Sequence, residues 1–238
     1  MSSTLSAWTR FPVGLEEGPD EAFHVHAFTL PGCVGSGPTR DDALASFQSE
    51  LTAWLDFLGS QGEVLPDPSR EIEIAVDEWI ATEADVAVGD SDVLFASDLV
   101  PLTEPELLRG VRLLGALRGR LLPRIRRAKD EELERIGSEE WNLRVIIDEL
   151  ARAQWWTLTR LGASPLAEVP PNAVARLDTA MALVIQHFAH LSAKARETHV
   201  ELDGEEWTPR KVLRRLLWLE WSLGGAALDL LDLQGAAE

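Results

Sequence analysis

Two stretches, EEWNLRVIIDELARAQWW (Glu139 to Trp156) and EEWTPRKVLRRLLWLEWS (Glu205 to Ser222), open with the same three residues and stay in phase at an offset of 66 residues. Aligning Trp141 with Trp207 sets Ile146 on Val212, Ile147 on Leu213, Leu150 on Leu216, Gln154 on Glu220 and Trp155 on Trp221. Apolar residues at spacings of three and four make both stretches amphipathic helices, and the repetition makes them pseudo-equivalent members of one bundle. Gln154 falls on the row Leu143, Ile147, Leu150, Leu158, Leu161, and Glu220 on the row Leu213, Leu216, Leu217, Leu223. Two polar groups therefore face the core at matching heights. A buried carboxylate without a partner is strongly destabilising, so Glu220 is expected to pair with Gln154, another side chain or a ligand.

Working outward, TEPELLRGVRLLGALRGRLLPRIRRA supplies Thr103 as N-cap, Pro105 in the first turn and Glu106 at the capping-box spacing. Leu107, Leu108, Val111, Leu114, Leu117, Leu121 and Ile125 form its apolar stripe, and Pro123 should kink or end it. Further helices are expected from Ser138 to Leu161, Pro171 to His199 and Thr208 to Leu231. Four helices of 20 or more residues, joined by Gly- and Pro-containing turns, predict an antiparallel four-helix bundle over 104–238. The basic run Arg118, Arg120, Arg124, Arg126, Arg127, Lys129 could make a phosphate-binding face, but it leads into DEELE, whose opposite charges compensate it, and it reads as a solvated or salt-bridged face.

The N-terminal part, 1–78, has a different rhythm. RFPVGLEE and AFHVHAFTL alternate as two antiparallel strands around the turn EEGPDE, and PGCVGSGPT provides a bend and a short third strand. Thr39 caps a helix whose Leu44, Phe47, Leu51, Trp54, Leu55 and Leu58 would cover the sheet, with Gly59 and Gly62 ending it. Ile72, Ile74 and Val76 alternate as a fourth strand. The acidic segment 79–103 is expected to be a connector, its VLFAS (93–97) a strand or an edge turn. The fold class is α+β: a small β-β-β-α-β domain followed by the bundle.

Composition narrows the function classes. With 22 Lys+Arg against 40 Asp+Glu, the net charge of −18 opposes non-specific binding to nucleic acid or anionic membrane. The single cysteine, Cys33, rules out an internal disulfide, and no apolar run approaches the ~20 residues of a membrane span, so a cytoplasmic protein is expected. There is no Walker loop, dinucleotide fingerprint or GxSxG elbow. His24 and His26 share a strand face that could suit a metal, but no third ligand is evident nearby, and they are read as a polar strand face. Cys33 could be a nucleophile only if its pKa were lowered.

The segment Arg10 to Pro68 resembles the HicB antitoxin-like domain, through LPGC at Leu30 to Cys33, DDAL at Asp41 to Leu44, Trp54-Leu55 and Pro66. That resemblance implies a module able to neutralise a small RNase toxin, and a packing role for Cys33 in its turn rather than a nucleophilic one. No DNA-binding helical motif follows it, so operator binding is not implied. The second half is similar to the DinB/YfiT-like four-helix bundles, through DLVPLTEPEL (98–107), EEWNLRVIIDELARAQWWTLTRLG (139–162) and DGEEWTPRKVLRRLLWLEWS (203–222). Metal-binding members place histidines at positions that correspond here to Glu149, Leu219 and Leu223. Leucine has no lone pair for a metal, so the resemblance implies a degenerate metal site and no metal or other cofactor.

These readings converge on a non-catalytic two-domain protein, homodimeric, binding a small protein or a small-molecule ligand. Glu149, Gln154, Trp155, His187, His190, Trp218 and Glu220 are the candidate pocket, and no catalytic residue is assigned. Two alternatives stand beside it. One is a metal- or thiol-dependent enzyme of the DinB type, rebuilt from His187 and His190 with Glu149 or Glu220. The other is a toxin-neutralising module.

Overall fold

The computed structural model describes residues 8–19, 22–67, 70–163 and 168–235. The turn residues Asp20 and Glu21, Pro68 of the proline break, and the first seven residues lie outside them. The fold is α+β, a four-stranded sheet with its helix followed by an all but wholly helical half, in two compact units, 1–97 and 98–238.

In the first unit β1 (Trp8–Glu17), β2 (Phe23–Ala27), β3 (Val34–Gly37), α1 (Arg40–Ser60) and β4 (Glu71–Ala81) follow in the expected order. The sheet order is β3-β2-β1-β4, with β1–β2 and β2–β3 antiparallel and β1–β4 parallel. Thr39 caps α1 by accepting from the Asp42 amide, as its position before DDAL predicts. Phe47, Leu51, Trp54 and Leu58 are buried with Val13, Leu15 and Val25. Gly35 permits the close approach of α1, since a Cβ there would lie 2.3 Å from the Phe47 backbone nitrogen.

The opposite sheet face carries Gly14, Glu16, His24 and His26, and the segment after β4 closes over it. Phe95 packs on the Gly14 backbone, and Val86 is buried against Gly18. The connector expected at 79–103 is therefore not a free linker: β4 runs on to Ala81, and 82–97 supplies the second layer of the first unit. VLFAS forms no strand; its last two residues enter a 3-10 turn at Ala96–Leu99. Its apolar side chains are used for covering the sheet, which no local periodicity reveals.

In the second unit the long helices are α2 (Glu104–Ile125), α4 (Leu143–Thr159), α5 (Ala173–Ala189) and α6 (Pro209–Gly235), with a short α3 (Asp130–Leu133) between the first two. The packed pairs α2–α6, α6–α4, α4–α5 and α5–α2 close a ring. The Thr103–Glu106 capping box is present, and α2 ends two residues past Pro123. The 66-residue register extends to the caps: Asn142 accepts from the Val145 amide and Thr208 from the Lys211 amide. Two helices are shorter than expected, α4 and α5 having 17 residues each. Asn142 rather than Ser138 starts α4 because its side chain satisfies a first-turn amide. The helix expected to reach His199 stops at Ala189, and β5 (Val200–Leu202) and β6 (Glu205–Trp207) form a hairpin around Asp203-Gly204, both at positive φ.

Candidate functional site

The heart of the helical unit is a closed polar cluster. Gln154 on α4, Glu220 on α6 and Arg118 on α2 are 0%, 2% and 4% exposed. Gln154 Nε2 donates to Glu220 Oε1 at 2.6 Å, the expected pairing across the repeat. Arg118 donates to both Glu220 oxygens, to Gln154 Oε1 at 3.0 Å and to the Leu177 carbonyl of α5 at 2.8 Å. All four long helices thus share one hydrogen-bond network. Arg118 is salt-bridged, as one of the two readings of the basic run has it, but it is buried in the core rather than on a surface face. It sits four residues after Leu114 and three before Leu121, on the apolar stripe of α2, and that spacing was the available signal.

The other candidate pocket residues separate into three places. Glu149 is a half-buried partner of Arg152, one turn away on the same helix. Leu219 and Leu223 pack against the apolar core around Ile147, Leu150 and Leu177, and Trp218 is half-buried. Trp155, His187 and His190 line a cleft of about 460 Å³ with Leu158, Leu183 and Leu191. Glu149 and Glu220 are thus held by arginines, and the only group of three potential metal ligands that converges among the described residues lies elsewhere. Among the described residues, His187 and His190 do not converge with Glu149 or Glu220 as a set of three ligands.

Within the cleft the two histidines differ. His190 closes α5, its Nδ1 lying 2.8 Å from the Gln186 carbonyl. His187 Nε2 is buried with no hydrogen-bond partner among the described residues. Burial pushes the His187 pKa below its ordinary value, so the imidazole is neutral at pH 7.

The first unit holds a second buried polar group. The hairpin register sets Glu16 opposite His24 and Gly14 opposite His26, so the three side chains share the face covered by 82–97. Glu16 is 0% exposed, His24 6% and His26 1%, which corrects the reading of a polar strand face. Glu16 Oε2 lies 2.9 Å from His26 Nε2, 2.8 Å from the Ser91 hydroxyl and 3.7 Å from His24 Nδ1. Burial alone would raise the Glu16 pKa, but the imidazoles of His24 and His26, with Ser91, outweigh it and hold the carboxyl far below the usual range. Glu16 was missed because it belongs to another strand. The turn fixes it all the same, since a hairpin centred on residue 20 places 16 against 24. Cys33 is buried, and burial raises its pKa, which leaves it an unreactive packing thiol.

No protein-family model, curated protein or solved structure matches the chain. No described helix is long and apolar enough to cross a membrane.

Proposed function

We propose that the helical unit is a non-catalytic binding module on a DinB/YfiT-type frame whose cation-ligand positions are held by Glu149, Leu219 and Leu223 and whose core is closed by the Arg118–Gln154–Glu220 cluster. The Trp155–His187 cleft holds a small, largely apolar ligand. The observation that carries this is an apolar cleft of about 460 Å³ whose wall includes His187, a residue whose Nε2 is buried with no hydrogen-bond partner among the described residues. Small-molecule sites have this size and this makeup, a few placed polar groups on an apolar wall. A neutral imidazole there offers one directional hydrogen bond to an amide, hydroxyl or heteroaromatic nitrogen. Trp155 supplies a flat apolar surface beside it.

A ligand-observed NMR screen of heteroaromatic amides and alcohols tests the reading. Hits should disappear in a Leu183→Trp variant, which fills the cleft, and weaken in His187→Phe. Hits that bind Leu183→Trp unchanged overturn it.

The HicB-like first unit is the partner-binding half of this cytoplasmic protein. Its edge strand β4 has 11 residues, and Ile72 and Trp79 are exposed on it. An unpaired edge with apolar side chains suits pairing with a second copy. Light scattering should then give a dimer mass that reverts to a monomer in Ile72→Lys/Trp79→Lys.

A further inference from the structure

We propose that Glu16, His24 and His26 bind one divalent transition cation, Zn²⁺ by ligand class, as a buried structural site of the first unit. Two imidazoles and one carboxylate are a donor set that Zn²⁺ takes in tetrahedral coordination at roughly 2.0–2.2 Å, which spaces ligand atoms about 3.3–3.6 Å apart. The contacts of Glu16 Oε2 with His26 Nε2 (2.9 Å) and His24 Nδ1 (3.7 Å) bracket that spacing. One ligand atom from each of the three residues lies within 4.8 Å of the other two.

An ion pair needs only one of the two imidazoles beside Glu16 and gives the other no part. A cation engages the whole set, one carboxylate and two imidazoles, through one ligand atom of each. The carboxylate is also used unevenly: its three partners gather on Oε2, while Oε1 has no hydrogen-bond partner among the described residues. Paired strands fix the donors in register, and Phe95, 5.4 Å from the His26 ring, walls the site with apolar surface. The Ser91 hydroxyl, 2.8 Å from Oε2, orients the carboxylate while a water takes the fourth position, or takes that position itself. Such a closed site ties β1 and β2 to the segment that covers them and leaves no face for substrate.

The test uses the full chain, stripped with EDTA and then given Zn²⁺ or Co²⁺. The expected results are one equivalent of zinc retained through gel filtration, a melting temperature that rises on addition, and intense visible Co²⁺ bands of tetrahedral geometry. Glu16→Gln and His26→Gln should lose stoichiometric uptake. Ser91→Ala should weaken it about 10–100-fold. The His187→Gln/His190→Gln double variant should bind as the original does. No stoichiometric uptake by the unmutated chain overturns the proposal without reference to whether any variant folds. Uptake that survives both Glu16→Gln and His26→Gln overturns it as well. Uptake lost only in the His187/His190 variant overturns it and the proposed cleft function together, whereas failure of the ligand screen alone leaves this site untouched.

Discussion

Glu16 in the first unit and Glu220 in the second are carboxylates of nearly equal burial, 0% and 2% exposed, with opposite kinds of partner. Glu220 faces a guanidinium that is always charged and an amide, and both its oxygens are engaged. Glu16 faces two imidazoles and a hydroxyl, which can pass between donor and acceptor roles, and one of its oxygens has no hydrogen-bond partner among the described residues. The same desolvation cost is thus met by a closed network in one place and by a set of metal-compatible donors in the other. Arginine has no lone pair to offer a cation; histidine does. The helical cluster is built to exclude an ion and the sheet cluster to accept one.

The largest expected effect breaks the closed side. Arg118→Met leaves Glu220 buried beside an amide only, and should cost about 3–5 kcal/mol in denaturant unfolding at pH 7. Replacing Arg118, Gln154 and Glu220 together by Met or Leu should recover most of that loss, because an apolar core needs no compensation. A loss below about 1 kcal/mol in the single variant would place the network on the surface energetically and end the contrast.

The open side should respond to a cation. At a free Zn²⁺ concentration about 100 times the dissociation constant, β1 and β2 amides should gain roughly 2.7 kcal/mol of protection in hydrogen exchange. Amides of α4 and α6 should gain none from that site, and Glu16→Gln should abolish the gain. Equal protection in both units would mean that the ion does not distinguish the two clusters.

What could be read in advance follows the same division. The Gln154–Glu220 pairing was legible because a helical repeat gives both row and height, and the 66-residue offset fixes both. Arg118 lay on a legible stripe but was absorbed into a run of basic neighbours, where charge composition outweighs position. Glu16 needed the hairpin register, a long-range property that one strand's alternation does not contain. The cover provided by 82–97 was not legible at all, since Val86, Val93 and Phe95 follow no period and are buried by tertiary contact alone. The Asp203-Gly204 turn was a local signal of a hairpin, hidden by its position between two helices.

His187 sharpens the comparison with a third case, a buried polar atom whose partner is to come from outside. An unsatisfied buried group is destabilising, so His187→Phe should leave stability unchanged or raise it by about 1 kcal/mol while weakening the ligand hits. A clear loss of stability would show that Nε2 is satisfied within the fold, and the cleft would lose its anchor.

Glu106 gives the smallest effect and calibrates the others, because it is a partly exposed carboxylate with a fixed arginine partner. Its oxygens accept from Arg210 at 2.7 and 2.8 Å and from the Thr103 amide at 2.9 Å. The Arg210 hydrogen bonds are the main cause that lowers its pKa from 4.5 to about 2. A depressed folded-state value means that the stabilisation is complete above pH 4.5 and disappears as the pH falls toward about 2. Solvent reaches this carboxylate, so Glu106→Gln should cost under about 1 kcal/mol at pH 7. The difference between the two proteins should close between those two pH values. A difference that persists unchanged below pH 2 would assign the effect to capping geometry, which the glutamine also perturbs, rather than to charge. Buried Glu220 should then still stand apart, since its loss of Arg118 is a matter of desolvation that no salt screens.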